Sequence, residues 1–129
     1  MVYGKGCGGN YNTLRKLALL SPVFPDTQNK KSMIYSDNLS QCLFEIITKK
    51  ICGVILPKNK FDVNTAYMAV QIAKANGKKT KSCKFCGKLI KLLPLKTVKK
   101  AFGNLTYSDD IAYICDFTDF ETSIIQTEK

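Results

Sequence analysis

The chain has 129 residues, an apolar content of 45% and a formal net charge of +10 at pH 7. That length fits one domain with a real core, and the apolar fraction excludes a disordered tail. Histidine is absent, which removes the commonest general base and the usual catalytic triads, and no apolar run approaches the roughly 18 residues of a membrane span.

The N-terminal segment carries Gly4, Gly6, Gly8 and Gly9. Residues 1–10 are expected to be flexible. A glycine-rich loop that opens a helix can cradle a phosphate with its N–H groups, but no Gly-Lys-Ser/Thr follows here to make a nucleotide-binding loop. Asn10 or Asn12 is placed to cap a helix running to about Leu20, with Tyr11, Leu14, Leu17 and Ala18 on one side. Ser21-Pro22 and Pro25-Asp26 end it. Thr27 to Ser32 reads as an exposed loop, with Lys30-Lys31 as a solvated pair.

The next helix starts near Ser36-Asp37-Asn38, all residues suited to an N-terminal cap, and Asn38 with Gln41 resembles a capping box. Leu39, Cys42, Leu43, Ile46 and Ile47 form the stripe of a helix laid on a core, with Cys42 as a small buried hydrophobe. Ile51 to Leu56 is short, apolar and β-branched, and predicts a buried strand that stops at Pro57. A third helix follows Asp62, with Val63, Ala66, Tyr67, Val70 and Ala73 at helical spacing and Asn76-Gly77 as its stop.

Then comes Ser82-Cys83-Lys84-Phe85-Cys86-Gly87-Lys88. Two cysteines three apart, followed by glycine, resemble a zinc knuckle, in which backbone N–H groups point at the first sulfur. Leu89 to Leu93 suits the return strand of a hairpin, and Lys96 to Phe102 a short basic helix. Ile111 to Cys115 reads as a strand, and Phe117 and Phe120 add apolar bulk. The segment from Cys83 to Cys115 resembles half of a zinc ribbon or treble clef. It departs from that pattern because Cys115 has no second cysteine beside it. The expected metal set is therefore Cys83, Cys86 and Cys115, with Asp119 as fourth ligand or Cys52 or Cys7 in its place. Residues 78–120 would form a zinc-ribbon-like basic module.

The charge is as localised as the cysteines. From Val63 to Ser108 there are ten lysines and no acidic residue, while the remaining ten Lys/Arg balance the ten Asp/Glu. Such a segment attracts polyanions without reading base sequence. Lys78, Lys79, Lys81, Lys84, Lys88, Lys99 and Lys100 are the expected phosphate contacts, with Phe85 stacking on an unpaired base.

The opening residues have no signal-like apolar stretch, so an intracellular protein, in nucleus or cytoplasm, is expected. Its cysteines should then be free thiols or metal ligands rather than disulfides. Lysine outnumbers arginine nineteen to one, a usage common in AT-rich genomes, including those of many large DNA viruses. The expectation is a small single α+β domain, about three helices on a short sheet with a zinc-knuckle hairpin. It would be non-enzymatic, bind zinc and contact nucleic acid through its lysine face, as an accessory factor in viral transcription or replication. The alternatives are a zinc-braced adaptor for a protein partner and a thiol-dependent redox protein. No membrane association is expected.

Overall fold

The computed structural model describes residues 1–92, 102–108 and 110–129, so Lys96, Lys99 and Lys100 lie outside the described residues. The strands are short: β1 (Val2–Tyr3), β2 (Val23–Pro25), β3 (Ile34–Tyr35), β4 (Leu56–Lys58), β5 (Lys81–Cys83) and β6 (Ala112–Ile114). Between and after them run α1 (Asn10–Leu20), α2 (Ser36–Thr48), α3 (Thr65–Ala75), α4 (Lys84–Lys91) and α5 (Phe120–Glu128).

Among the described residues the strands pair in parallel, β1 with β3, β2 with β5, and β4 with β6, and a single antiparallel bridge joins Lys31 to Val63. Parallel neighbours cannot be joined by a tight turn, so helices must carry the chain back between them. The Asn59 N–H donates to the Met33 carbonyl at 2.8 Å, which brings the end of β4 beside β3. The result is a small mixed α/β domain with parallel strands, in place of the expected α+β hairpin architecture.

Three helices lie where apolar spacing puts them. In α1, Tyr11, Leu14 and Ala18 are buried. In α3, Ala66, Met68, Ala69, Ile72 and Ala73 are buried. The Asn64 side chain caps α3 by accepting from the N–H groups of Ala66 and Tyr67, and the helix ends where Gly77 takes a φ of 69° that suits glycine. In α2 the apolar stripe is only half used: Cys42 is fully buried, whereas Leu43 and Ile47 are exposed. Asn38 does not cap α2. Its buried side chain bonds both the N–H and the C=O of Thr118, each at 2.9 Å, and ties the helix to the chain after β6.

The predicted 51–56 strand is displaced to Leu56–Lys58 and runs through Pro57. Leu56 and Lys58 face β6, bonding Ile111 and Cys115 there. Pro57, which has no N–H to give, faces the other side, before the Asn59 bond to β3 begins. The largest correction falls at the cysteine turn. Cys83 ends a strand and Lys84 starts a helix, so the segment from 83 to 91 is strand-into-helix and forms no knuckle hairpin.

The main core gathers Tyr3, Tyr11, Leu14, Phe24, Met33, Tyr35, Met68, Ile72 and Ile124 among its members. Residues 1–10, expected as a loose end, thus supply a strand whose Tyr3 is completely buried. The Tyr3 hydroxyl pairs with the Ser123 hydroxyl at 2.7 Å and accepts from the Asn59 amide at 3.0 Å. The helix α5 is held at its far end by Glu128. Its carboxylate accepts from Tyr11 Oη at 2.7 Å, Arg15 Nε at 2.6 Å and Asn76 Nδ2 at 2.6 Å. A second, smaller cluster contains Ile34, Cys42 and Cys115. Among the described residues no helix is long and apolar enough to cross a membrane.

Candidate ligand pocket and the cysteine turn

A pocket of about 310 Å³ opens beside α1. Its walls are Met1, Leu14, Leu17, Phe24, Met33 and Phe102, and its polar groups come from Asn10, Thr13, Lys31 and Thr65. The size and the ratio of apolar wall to few polar groups are those of a small-molecule site. Phe24 and Phe102 meet with ring centroids 6.1 Å apart. Below them, Asn29 donates to Thr65 Oγ1 at 2.7 Å and accepts from the Thr65 N–H at 3.1 Å, which fixes one edge of the floor.

Lys31 brings an ammonium to this pocket, and its backbone is clamped on both sides. It exchanges two hydrogen bonds with Val63, at 3.0 and 2.9 Å, while its neighbours Lys30 and Ser32 bond Leu105 at 2.9 and 2.7 Å. Burial lowers the pKa of its ammonium from the ordinary lysine value, since a charged form loses solvation there. At the pocket's other side α1 begins at Gly9 with no side-chain cap. The N–H groups of its first turn are therefore open to an anion.

Gly4, Gly6 and Gly9 match the spacing of a dinucleotide-binding loop, and here they do lie between a strand and a helix. Other features depart from that context. The third glycine of such a loop permits close helix–strand packing, but a Cβ on Gly9 would meet nothing within 4 Å. The partner of β2 is β5 rather than β1. Asp26, at the end of β2, already accepts from Gln28 N and Asn64 Nδ2 at 2.8 and 3.0 Å.

The structure brings together two of the four expected metal ligands. Cys83 is the N-cap of α4, and its sulfur accepts from the Cys86 N–H at 3.3 Å. Cys115 lies in the second core cluster, paired with Cys42 as a disulfide across a Cα–Cα distance of 5.8 Å. That pairing corrects the expectation that none of the cysteines is bridged. Asp119 caps α5, with Oδ1 accepting from the Thr122 N–H at 3.0 Å, and that bonding lowers its pKa. Cys7 is half-buried and Cys52 exposed. Among the described residues no three Cys, Asp or Glu side chains are grouped to hold a metal ion, so this donor set does not make a closed zinc site.

The lysines are laid out along β5 and α4. Lys79, Lys81, Lys84 and Lys88 are exposed, as is Phe85 at 75%. Lys78 differs, since its ammonium donates to the Leu19 carbonyl at 2.9 Å and so closes the C-terminal end of α1. The residue that sequence reasoning missed is Lys31, taken as half of a solvated pair. Thr27 to Ser32 is polar throughout, so no apolar alternation marked it, and only the structure shows Thr27 and Asn29 buried while Gln28 and Lys30 are exposed.

No family model matches the chain, and a search of curated proteins finds no match. Among solved structures, dTDP-4-dehydrorhamnose reductase from Bacillus anthracis str. Ames, in complex with NADP, is similar in fold, with a TM-score of 0.62 and 12% identity. The likeness covers 98% of this chain and 44% of the reductase, so the chain spans less than half of that protein's length. At this identity the likeness is one of fold.

Proposed function

We propose that this chain is the ligand-holding part of an enzyme that acts on a nucleotide-linked sugar, and that the pocket beside α1 receives the ligand. The observation that carries the reading is Lys31, a partly desolvated ammonium on a clamped backbone in a mostly apolar pocket of about 310 Å³. The apolar walls suit a base and sugar ring, the ammonium suits a diphosphate, and the uncapped first turn of α1 adds N–H donors for the same anion. Support for the ligand class comes from the fold likeness to a reductase whose name specifies a dTDP-linked sugar. The first glycine of the loop, Gly4, is packed against Ser36, but the third, Gly9, lacks the close packing and β2 the strand order of a dinucleotide loop, which favours the nucleotide sugar over NADP as occupant. No catalytic residue is assigned. The reading departs from the expectation of a non-enzymatic protein, and what moves it is the pocket.

The test is calorimetric titration of the full chain with dTDP, a dTDP-linked hexose and NADPH. The nucleotide sugar should bind and Lys31→Gln should weaken it by about tenfold or more, the loss of one charge-assisted contact. An equal affinity in Lys31→Gln, or tighter binding of NADPH than of either dTDP ligand, would refute it.

A second reading keeps the polyanion face. The exposed row of Lys79, Lys81, Lys84 and Lys88 with the exposed Phe85 favours contact with nucleic acid through phosphate and stacking. In that reading zinc at Cys83 and Cys86 would take its other ligands from another molecule. A single-stranded oligonucleotide titration checks it, since binding through several phosphates should weaken steeply, by roughly 10³ or more, between low and physiological salt.

A further inference from the structure

We propose that Cys83 and Cys86 form a reversible dithiol–disulfide couple that exchanges with low-molecular-weight disulfides. The inference is independent of the ligand pocket. It rests on where the strand-to-helix junction puts the two sulfurs.

Cys83 is the last residue of β5 and the N-cap of α4, and Cys86 stands in the first turn of that helix. The Cys86 N–H points at the Cys83 sulfur from 3.3 Å. The two cysteines are therefore neighbours before any bond forms. Both residues are partly exposed, so a small disulfide can reach them. The frame around them is fixed at two points. Cys83 pairs in register with Pro25 of β2, and Gly87 packs so tightly on the Asp26 carbonyl that a Cβ there would collide with it. Between those points the Phe85 side chain is exposed, so the first turn has room to adjust when a bond closes.

The two thiols are not equivalent. Cys83 stands at the N-cap of α4, where its sulfur accepts the Cys86 N–H, whereas Cys86 lies within the helix's first turn. The charged groups around the pair are Lys81 on β5 and Lys84 and Lys88 on α4, with Asp26 across on β2. Asp26 turns its carboxylate toward Gln28 and Asn64. A helix N-terminus with lysines near it favours a thiolate, and that assigns the attacking role to Cys83.

The exchange balances as follows. The Cys83 thiolate attacks one sulfur of a disulfide RSSR, forming a Cys83–S–S–R bond and releasing RS⁻, which takes up the proton of the Cys86 thiol. The Cys86 thiolate then attacks the Cys83 sulfur, the mixed disulfide breaks, and a second RS⁻ leaves and takes up from solvent the proton that Cys83 had released on ionising. Two protein thiols are oxidised and one small disulfide is reduced to two thiols. Cys42 and Cys115 are bonded to each other in the core, and Cys7 and Cys52 are free thiols that are replaced in the test below.

The experiment uses the full chain carrying Cys7→Ser and Cys52→Ser, equilibrated in glutathione buffers from fully reduced to fully oxidised. Free thiols are alkylated and located by peptide mass spectrometry. Cys83 and Cys86 should lose alkylation together, as one two-electron transition inside the glutathione range, and with the peptide mass of an internal disulfide. Adding Cys86→Ser should trap one glutathione on Cys83, whereas Cys83→Ser should slow alkylation of the turn at least tenfold near neutral pH. The inference is overturned if both thiols stay free across the range. It is overturned equally if they end as separate glutathione adducts, or if the purified chain carries stoichiometric zinc that must be chelated before either sulfur reacts.

Discussion

Lys31 and the lysines from 79 to 88 carry the same ammonium in opposite settings. Lys31 sits on a backbone held by Val63 and Leu105 and lines an apolar pocket. Lys79, Lys81, Lys84 and Lys88 stand in water along one edge. In water a single ammonium–phosphate contact is weak and screened, so an edge gains affinity only by number and loses it to salt. In the pocket an ammonium that is poorer in solvent, on a clamped backbone, gains more from each phosphate it meets. Number draws the eye in a sequence, and placement decides the chemistry.

The same contrast sets the expected effects of substitution. The largest should come from Glu128, the most enclosed of the paired acids, whose side chain is 2% exposed beneath Tyr11, Arg15 and Asn76. Glu128→Ala strands three donors at once and should lower stability by roughly 2–4 kcal/mol, with the partial exposure of Arg15 keeping it from the top of the buried-pair range. Urea unfolding measures it. A change within the few tenths typical of a surface ion pair would erase the distinction between buried and exposed charge.

The alkaline limb of stability comes next. Burial pushes the Tyr3 hydroxyl up to about 12 from an ordinary value of 10.0. Between those values the unfolded chain loses the proton that the folded chain keeps, so stability present below pH 10 falls as pH rises. The loss through that window is about 2–3 kcal/mol. Tyr3→Phe should flatten this limb in part, because the Tyr11 hydroxyl, buried and bonded to Glu128, is pushed up as well; an unchanged slope in a pH series of unfolding curves would show that Tyr3 does not contribute to it.

A smaller effect belongs to the cap of α3. Asn64→Ala removes the acceptor for the N–H groups of Ala66 and Tyr67 and should cost about 1 kcal/mol. The smallest belongs to the edge. Replacing Lys79, Lys81, Lys84 and Lys88 with glutamine should change nucleotide-sugar affinity less than about twofold at physiological salt, where such exposed charges are screened. A larger loss would move the ligand from the pocket to the edge and favour the polyanion reading.

Much of the helical frame was legible. Tyr11, Leu14 and Ala18 fix the buried face of α1, and Asn76-Gly77 fixes the end of α3. Long periodic segments average over many side chains, so a few misfits do not hide them. The strands of two or three residues offer no such average, and their parallel partners lie far off in sequence, so the pairing was illegible. Leu89-Ile90 after the cysteine turn fits a strand or a helix equally. The tight seat of Gly87 on Asp26 belongs to a helix laid against β2, and nothing near Gly87 in sequence announces Asp26. The last helix was missed although Asp119 stands three residues before Thr122 as a cap does. Cys83 and Cys86 were read together as metal ligands and do share one turn, but the sequence could not show that Cys115 would find Cys42 instead.

The account is tested most directly by titrating a dTDP-linked hexose into the wild-type chain and into Lys31→Gln under matched salt. Saturable binding that falls by about tenfold or more in the variant, with its fold unchanged by circular dichroism, is the predicted result. Equal binding by both proteins, or none by either at millimolar ligand, would contradict it.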